Sequence, residues 1–409
     1  MRHTLLYLAA LLLCLNLSAQ NESAFIDAVQ RFTDGDYKTA CDAFSLLHAK
    51  DSTDDATLYY LALCEYSLGD QASSEKHLRQ ACSIDTLNCW YLSSLASLYN
   101  TQGRQRESAH ICEKLLKLNP SSYRTPYTLT LVADNKLNER QDSTALSYYE
   151  QALELDPAYA PAEMGKGEIM RMRGNMPSYF LSLGKFISNP DVYPDMKSSY
   201  LKAILERMDA PFYWAWGKQL TSLIDTCVVM HPKDIQSRVN KLNIAYIQSD
   251  TTEIFRQCDA IIPLAMEAKD TTNLMMAMET IGDMYHEQGL NKLAYKQYEK
   301  IIAINPDYCP ALNNYAYYLC LEGKKLKKAL AMSKRTVELE PDNATYLDTY
   351  GWLLYLTGKA AEAKPFFKHA MIYGGKESAV VLEHYSKVLE ALGEKDLADY
   401  YKSLSEHKK

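Results

Sequence analysis

Nine histidines, ten cysteines and 51 acidic side chains are ample material for catalysis or metal binding, so their spacing decides what they can do. That spacing points away from both. The chain has no H-E-x-x-H zinc helix, no G-x-S-x-G nucleophile turn and no G-x-x-x-x-G-K-[ST] phosphate loop. Gly165-Lys166-Gly167 lacks a third glycine and a preceding strand, and Gly374-Gly375-Lys376 lacks the upstream glycine, so both read as helix junctions. His110 and Cys112 stand two residues apart, which on a helix turns them to different faces. His286 and His384 sit where they could meet a ligand, but nothing beside them completes a catalytic set. With Cys14 set aside, nine cysteines remain, an odd number that argues against a complete disulfide framework. Cys82 and Cys89, either side of a helix junction, are the pair placed to bridge. No catalytic residue, cofactor or metal site is expected, and the chain is not read as an enzyme.

The elements that carry these residues must be helical. The 409 residues are 47% hydrophobic and 23% charged, the balance of a folded chain, while 16 glycines and 14 prolines punctuate too sparsely for an all-β sandwich. A net charge of −7 offers no basic footprint for nucleic acid. Tyrosine is in excess, 31 against 9 phenylalanines, which favours rings with a polar tip on half-wet surfaces. Residues 1–19 combine a short basic start, an apolar run from Leu5 to Leu15 and a small residue at Ala19, and read as a secretory signal peptide. Leu13 before Cys14 does not suit a lipid-modified cysteine. Past residue 20 no apolar run is long enough to span a membrane, so the mature chain is expected to lack a transmembrane segment and to work in the periplasm or cell envelope.

Prolines reveal a repeat. Pro120 and Pro157 are 37 residues apart, Pro306 and Pro341 are 35 apart, and each closes a stretch such as Leu-Glu-Leu. Aligning on them brings Ala96, Ala133, Gly282, Ala316 and Gly351 into register on a first helix, then Ala145, Ala294, Ala329 and Ala363 on a second. Gly103, Gly289, Gly323 and Gly358 mark the turn between. The fullest copy runs Met278, Ile281-Gly282, Tyr285, Gly289, Ala294, Tyr298, Ile301, Pro306. Leu347, Tyr350-Gly351, Leu354, Gly358, Ala363, Phe367 and Ala370 repeat it, and the copy over 309–341 carries one inserted residue. This pattern resembles the tetratricopeptide repeat. The resemblance implies an all-α, right-handed superhelical solenoid of about ten helix-turn-helix repeats, with first helices lining a concave face. An N-terminal array over 20–190 and a C-terminal array over 233–409, ending in a capping helix, are expected to flank an irregular helical junction at 191–232. There Pro190, Pro194 and Pro211 break the register, and helices are expected near 195–208 and 213–230.

The same resemblance implies that ligands meet first-helix side chains one turn apart. In the N-terminal half these are Tyr59, Leu63, Tyr66, Trp90, Ser93, Ser97, Asn100, Tyr127, Thr130 and Asp134, an aromatic and neutral set. In the C-terminal half they are Glu279, Asp283, His286, Asn313, Asn314, Tyr317, Asp348, Trp352, Tyr355, Glu383 and Lys387, an acidic one. Asn313 and Asn314 lack the flanking basic residues of the family's carboxylate clamp, so that activity is not carried over. The expectation is a scaffold or adaptor that binds protein segments with basic and apolar side chains; the alternative is a module that binds a glycan or peptidoglycan fragment through Tyr and Trp. The tripeptides at Asp51, Asp85, Asp142, Asp250 and Asp270 resemble an O-glycosylation motif, though Asp, Ser and Thr are equally the favoured helix N-caps.

Overall fold

The computed structural model describes residues 21–408, so the expected signal segment lies outside the described residues. Among these residues there are helices and no strands. The chain divides into two compact units, one ending at Tyr193 and the other beginning at Pro194.

The first unit contains α1 (21–33), α2 (Tyr37–Lys50), α3 (Asp55–Ser67), α4 (Gln71–Ile84), α5 (Cys89–Thr101), α6 (Gln105–Leu118), the single turn α7 (Pro120–Tyr123), α8 (Pro126–Asn138), α9 (Asp142–Leu155), α10 (Ala160–Met172) and α11 (Met176–Ser188). The second contains α12 (Pro194–Arg207), α13 (Ala210–Met230), α14 (Ile235–Ile247), α15 (Thr251–Ala268), α16 (Thr271–Glu287), α17 (Asn291–Ile304), α18 (Cys309–Leu321), α19 (Leu326–Leu339), α20 (Ala344–Leu356), α21 (Ala360–Ile372), α22 (Ala379–Ala391) and α23 (Lys395–Glu406). Successive helices pack as antiparallel hairpins, α3 on α4, α8 on α9, α20 on α21 and so on.

Local chemistry sets the hairpin ends. Acidic and amide side chains cap the helices: Asp70 accepts from the Ser73 amide, Asn88 from the Trp90 amide and Asp270 from the Asn273 amide. Of the tripeptides that resemble glycosylation sites, those at Asp250 and Asp270 are used this way, Asp250 accepting from the Glu253 amide, while Asp51 and Asp85 accept from the Thr53 and Leu87 amides in the links after α2 and α4. Within most hairpins the turn closes through a left-handed residue, as at Gly358 with φ of 84°. The inserted residue of the 309–341 copy makes the α18–α19 link one residue longer, and there both Gly323 and Lys325 are left-handed.

The core is built from the register of small residues and rings. A Cβ on Gly351 would lie 2.8 Å from the Phe367 ring, and one on Gly282 would lie 2.9 Å from the Tyr298 ring, so glycine admits the second-helix aromatic. Gly165 and Gly167 fall inside α10 and not at a junction; a Cβ on Gly165 would meet Cζ of Tyr149 at 2.2 Å, which shows that the glycine seats the ring of the preceding hairpin. Gly374, with φ of 102°, does sit at a helix junction. All nine described cysteines are free thiols, Cys82 and Cys89 included.

The segment 191–232 holds α12 and α13. Pro211 lies in the first turn of α13, where its missing amide hydrogen costs nothing, so the helix starts earlier than the aromatic run suggested. A buried polar cluster ties the head of this unit together. Lys197 of α12 is wholly buried, and its Nζ lies 3.1 Å from Nε2 of His231, the C-cap of α13. Cys227 Sγ lies 3.1 Å from Ser237 Oγ, Ser237 donates to Asp234, and the Asn240 side chain donates to the Ser198 carbonyl at 2.8 Å.

Candidate functional site

In the first unit the expected residues separate into two groups. Tyr66, Trp90 and Tyr127 present open rings, with exposures of 42, 74 and 48%. Tyr66 joins Leu63, Ser94, Ser97 and Leu98 around a small cavity of about 120 Å³, and Tyr127 stands beside Asn100 of the preceding hairpin. Tyr59 is half-buried, its ring 4.8 Å from that of Tyr91 and its hydroxyl 3.2 Å from Ser94 Oγ. Thr130 is buried, whereas Asp134 is exposed and accepts the Tyr149 hydroxyl at 2.5 Å.

In the second unit α16, α18, α20 and α22 bring the expected residues into a connected ladder. Asn314 donates to Glu279 at 3.2 Å and to Asp283 at 3.4 Å, joining α18 to α16. Glu279 also accepts the Tyr308 hydroxyl at 2.8 Å, and Asp283 accepts the Tyr298 hydroxyl. Burial pushes both carboxyls above the ordinary range, with the tyrosine hydrogen bonds opposing it. His286 stacks on Tyr318 with ring centroids 3.4 Å apart, and Tyr318 stands beside Tyr317. Burial and the nearby Asp348 carboxylate raise the Tyr317 hydroxyl.

Further along, Asp348 of α20 is buried against His384 of α22, with Nδ1 at 2.9 Å from Oδ1. The His384 ring stacks on Trp352 at 4.0 Å, and Tyr355 stacks on the same indole at 4.9 Å. Glu383 is paired with Lys387 at 2.8 Å, whose ammonium also lies 5.6 Å from the Trp352 ring centre. Asp348 and Glu383 therefore already have cationic or ionisable partners within the chain. The aromatic area of Trp352 is largely occupied as well.

Three contributors were missed by reading first helices alone: Tyr298, Tyr308 and Tyr318. One signal for the first was present. Where the second-helix ring is tyrosine, the residue fifteen positions earlier is aspartate, as in Asp134 with Tyr149 and Asp283 with Tyr298; where it is Phe44 or Phe367, that position holds Val29 or Trp352. Among the described residues no group of three or more His, Cys, Asp or Glu is arranged to hold a metal ion, and no helix is long and apolar enough to cross a membrane.

Comparison with known proteins bears on the repeat. A family model described as tetratricopeptide repeat matches residues 277–308, the copy spanning α16 and α17. No curated protein matches the chain. Among solved structures, yeast Tom70 is 13% identical, covering 95% of this chain and 92% of that one with a TM-score of 0.39. The TPR domain of P58(IPK) is 12% identical, with 92% and 99% coverage and a TM-score of 0.31. MamA is 15% identical, with 40% and 93% coverage and a TM-score of 0.32. The match at 277–308 identifies a tetratricopeptide repeat over α16 and α17, and hairpin after hairpin carries the same small-residue and ring register.

Proposed function

We propose that the chain is an exported, non-catalytic scaffold of the periplasm or cell envelope, which binds segments of partner proteins on the first-helix faces of two arrays, 20–190 and 233–409. The observation that carries this reading is the exposure of Tyr66, Trp90 and Tyr127 in a fold whose repeat-position rings, such as Tyr149, Tyr298 and Phe367, are fully buried. Large rings held open on rigid helices offer contact area at small entropic cost, which is the economy of binding hot spots. The second unit adds an acidic, hydrogen-bonding face suited to basic and apolar side chains.

The same open rings would suit sugar stacking, so one experiment must separate a protein partner from a glycan. A photo-crosslinking residue placed at Tyr66 or Tyr127 should capture protein from envelope fractions, and the adduct should survive glycan digestion; the same residue at Lys117, on the outer surface of α6, should capture none. Adducts that disappear on glycan digestion would support the glycan reading instead. Replacing Tyr66 and Tyr127 by serine should abolish capture and leave helicity and melting unchanged, whereas loss of folding would return these rings to the core.

A further inference from the structure

The repeat position held by Phe44, Tyr149, Tyr298 and Phe367 in other hairpins is Leu78 in α4. Around Tyr298, the residues fifteen before, sixteen after and twenty after gather at the far end of the ring: Asp283 accepts its hydroxyl, Asn314 donates to that same Asp283, and the Tyr318 ring lies 6.0 Å away. Gly165 stands sixteen after Tyr149, and a Cβ there would lie 2.2 Å from Cζ of that ring. The residues at the same offsets from Leu78 are Leu63, Ser94 and Leu98, and all three line the cavity of about 120 Å³. The cavity is therefore the space that the outer end of a ring fills in other hairpins and that leucine is too short to reach.

A second, independent observation lies in the cavity wall. Ser74, one turn before Leu78 and also lining the cavity, is 0% exposed, and its Oγ has no hydrogen-bond partner. Its counterpart Ser108 donates to the Ala96 carbonyl at 2.8 Å; Ser74 makes no such bond. Buried hydroxyls in native proteins are rarely left unpaired. The Ser94 hydroxyl, by contrast, is already met by that of Tyr59. The exposed lining residues are Tyr66 and Ser97, so the cavity opens on the first-helix face, and no charged side chain lines it.

Resting on the scaffold reading above, we propose that this cavity between α3, α4 and α5 receives a tyrosine side chain of the partner segment, whose ring fills the space left by Leu78 and whose hydroxyl pairs with Ser74. Leu63, Leu78 and Leu98 make the walls apolar, which suits the body of an aromatic ring. One buried hydroxyl calls for one group that can give or take a hydrogen bond, and a phenol supplies it where phenylalanine or leucine does not. A charged side chain would leave water without meeting a counter-charge. Sites for whole small molecules usually measure about 300–1,000 Å³, so this one is the size of a single side chain.

The test uses the full chain to select binders from a random dodecapeptide display library. Recovered peptides should share a tyrosine at one register, and its replacement by phenylalanine should weaken binding to the parent about threefold to tenfold. Ser74→Ala should bind the two peptides equally. Leu78→Phe supplies the missing ring from within the chain. Ala28 and Ala133 pack with Phe44 and Tyr149 as Ala62 does with Leu78, so the fold should hold and melting should rise. Peptide binding to that variant should fall at least about tenfold. Should Leu78→Phe lose helicity, the comparison at Ser74→Ala decides alone. Binders without a common tyrosine, phenylalanine accepted equally well by the parent, full binding by a folded Leu78→Phe, or no binders at all would overturn the pocket. Crosslinked protein capture at Tyr127 that survives any of those outcomes would leave the scaffold reading standing, and its loss as well would remove both.

Discussion

Replacing Lys197 by methionine should stabilise the head of the second unit. The lysine is wholly buried, among the described residues its hydrogen-bond partner is the imidazole of His231, and burial lowers its pKa below the usual lysine range. For the ammonium to donate, His231 must carry its proton on Nδ1 and present Nε2 as acceptor. Methionine keeps the length and apolar stem of the side chain and removes the charge. Exchanging a buried charge for a well-packed apolar group gains about 1–4 kcal/mol, and the lost hydrogen bond costs about 1 kcal/mol, softened because His231 is only partly buried and water can reach it. A net gain of about 1–3 kcal/mol follows. Repeat arrays lose cooperativity over long distances, so a whole-chain melt is a poor reporter, and peptide-resolved hydrogen exchange over α12 to α14 is the assay. The pH dependence has a definite sign. Burial and then the Lys197 charge lower the His231 pKa from its ordinary 6.5, with Asp234 opposing. A base with a lowered folded-state pKa contributes stability above about pH 6.5 that is lost as the pH falls through the lowered value. Removing Lys197 removes one cause, so the protection gained by Lys197→Met should widen between pH 7.5 and 5.5. Reduced protection of α12 to α14 at pH 7.5, or a gain that does not change with pH, would refute the account.

Three further outcomes follow from particular contacts. Gly165→Ala should lower stability by about 1–3 kcal/mol despite the better helix propensity of alanine, because Tyr149 is held by its bond to Asp134 and cannot withdraw from the new Cβ; adding Tyr149→Leu should recover part of the loss in chemical denaturation. Lys325→Gly should gain about 0.5–1 kcal/mol by relieving a left-handed lysine at φ of 50°, read as stronger exchange protection across α18 and α19. Glu279→Gln should raise the melting temperature at pH 7, and the gain should vanish below about pH 4.5. Burial raises this carboxyl above its ordinary 4.5, so the ionised form penalises the fold at neutral pH and protonation removes the penalty.

What could be read from the sequence follows from the range of the interactions involved. Hairpin boundaries were legible because caps, turn glycines and prolines act on their own neighbours: Asp70, Gly358 and the four-residue link from Glu322 to Lys325 each declare themselves within a few residues. Pro211 was ambiguous for the same reason, since a proline between two helices and a proline in the first turn of the second have the same local signature. The roles of the groove acids were less legible. A first-helix aspartate one position after the small residue looks free to face a ligand, yet Asp134 and Asp283 are claimed by tyrosines from the second helix, and only comparison across repeats, where phenylalanine goes with Val29 or Trp352, exposes that link. Asp348 was beyond that comparison, because its partner His384 belongs to the next hairpin, 36 residues on. Lys197 was beyond reach altogether: between Met196 and Ser198 it looks like a solvated lysine, and its burial is decided by how α12 meets α13 and α14. The residues that escape local reading are therefore those that carry charge into the interior. A repeat framework already sufficient for the fold leaves such charges either as a cost the protein bears, as at Lys197, or held by hydrogen bonds from neutral neighbours, as at Glu279 and Asp283.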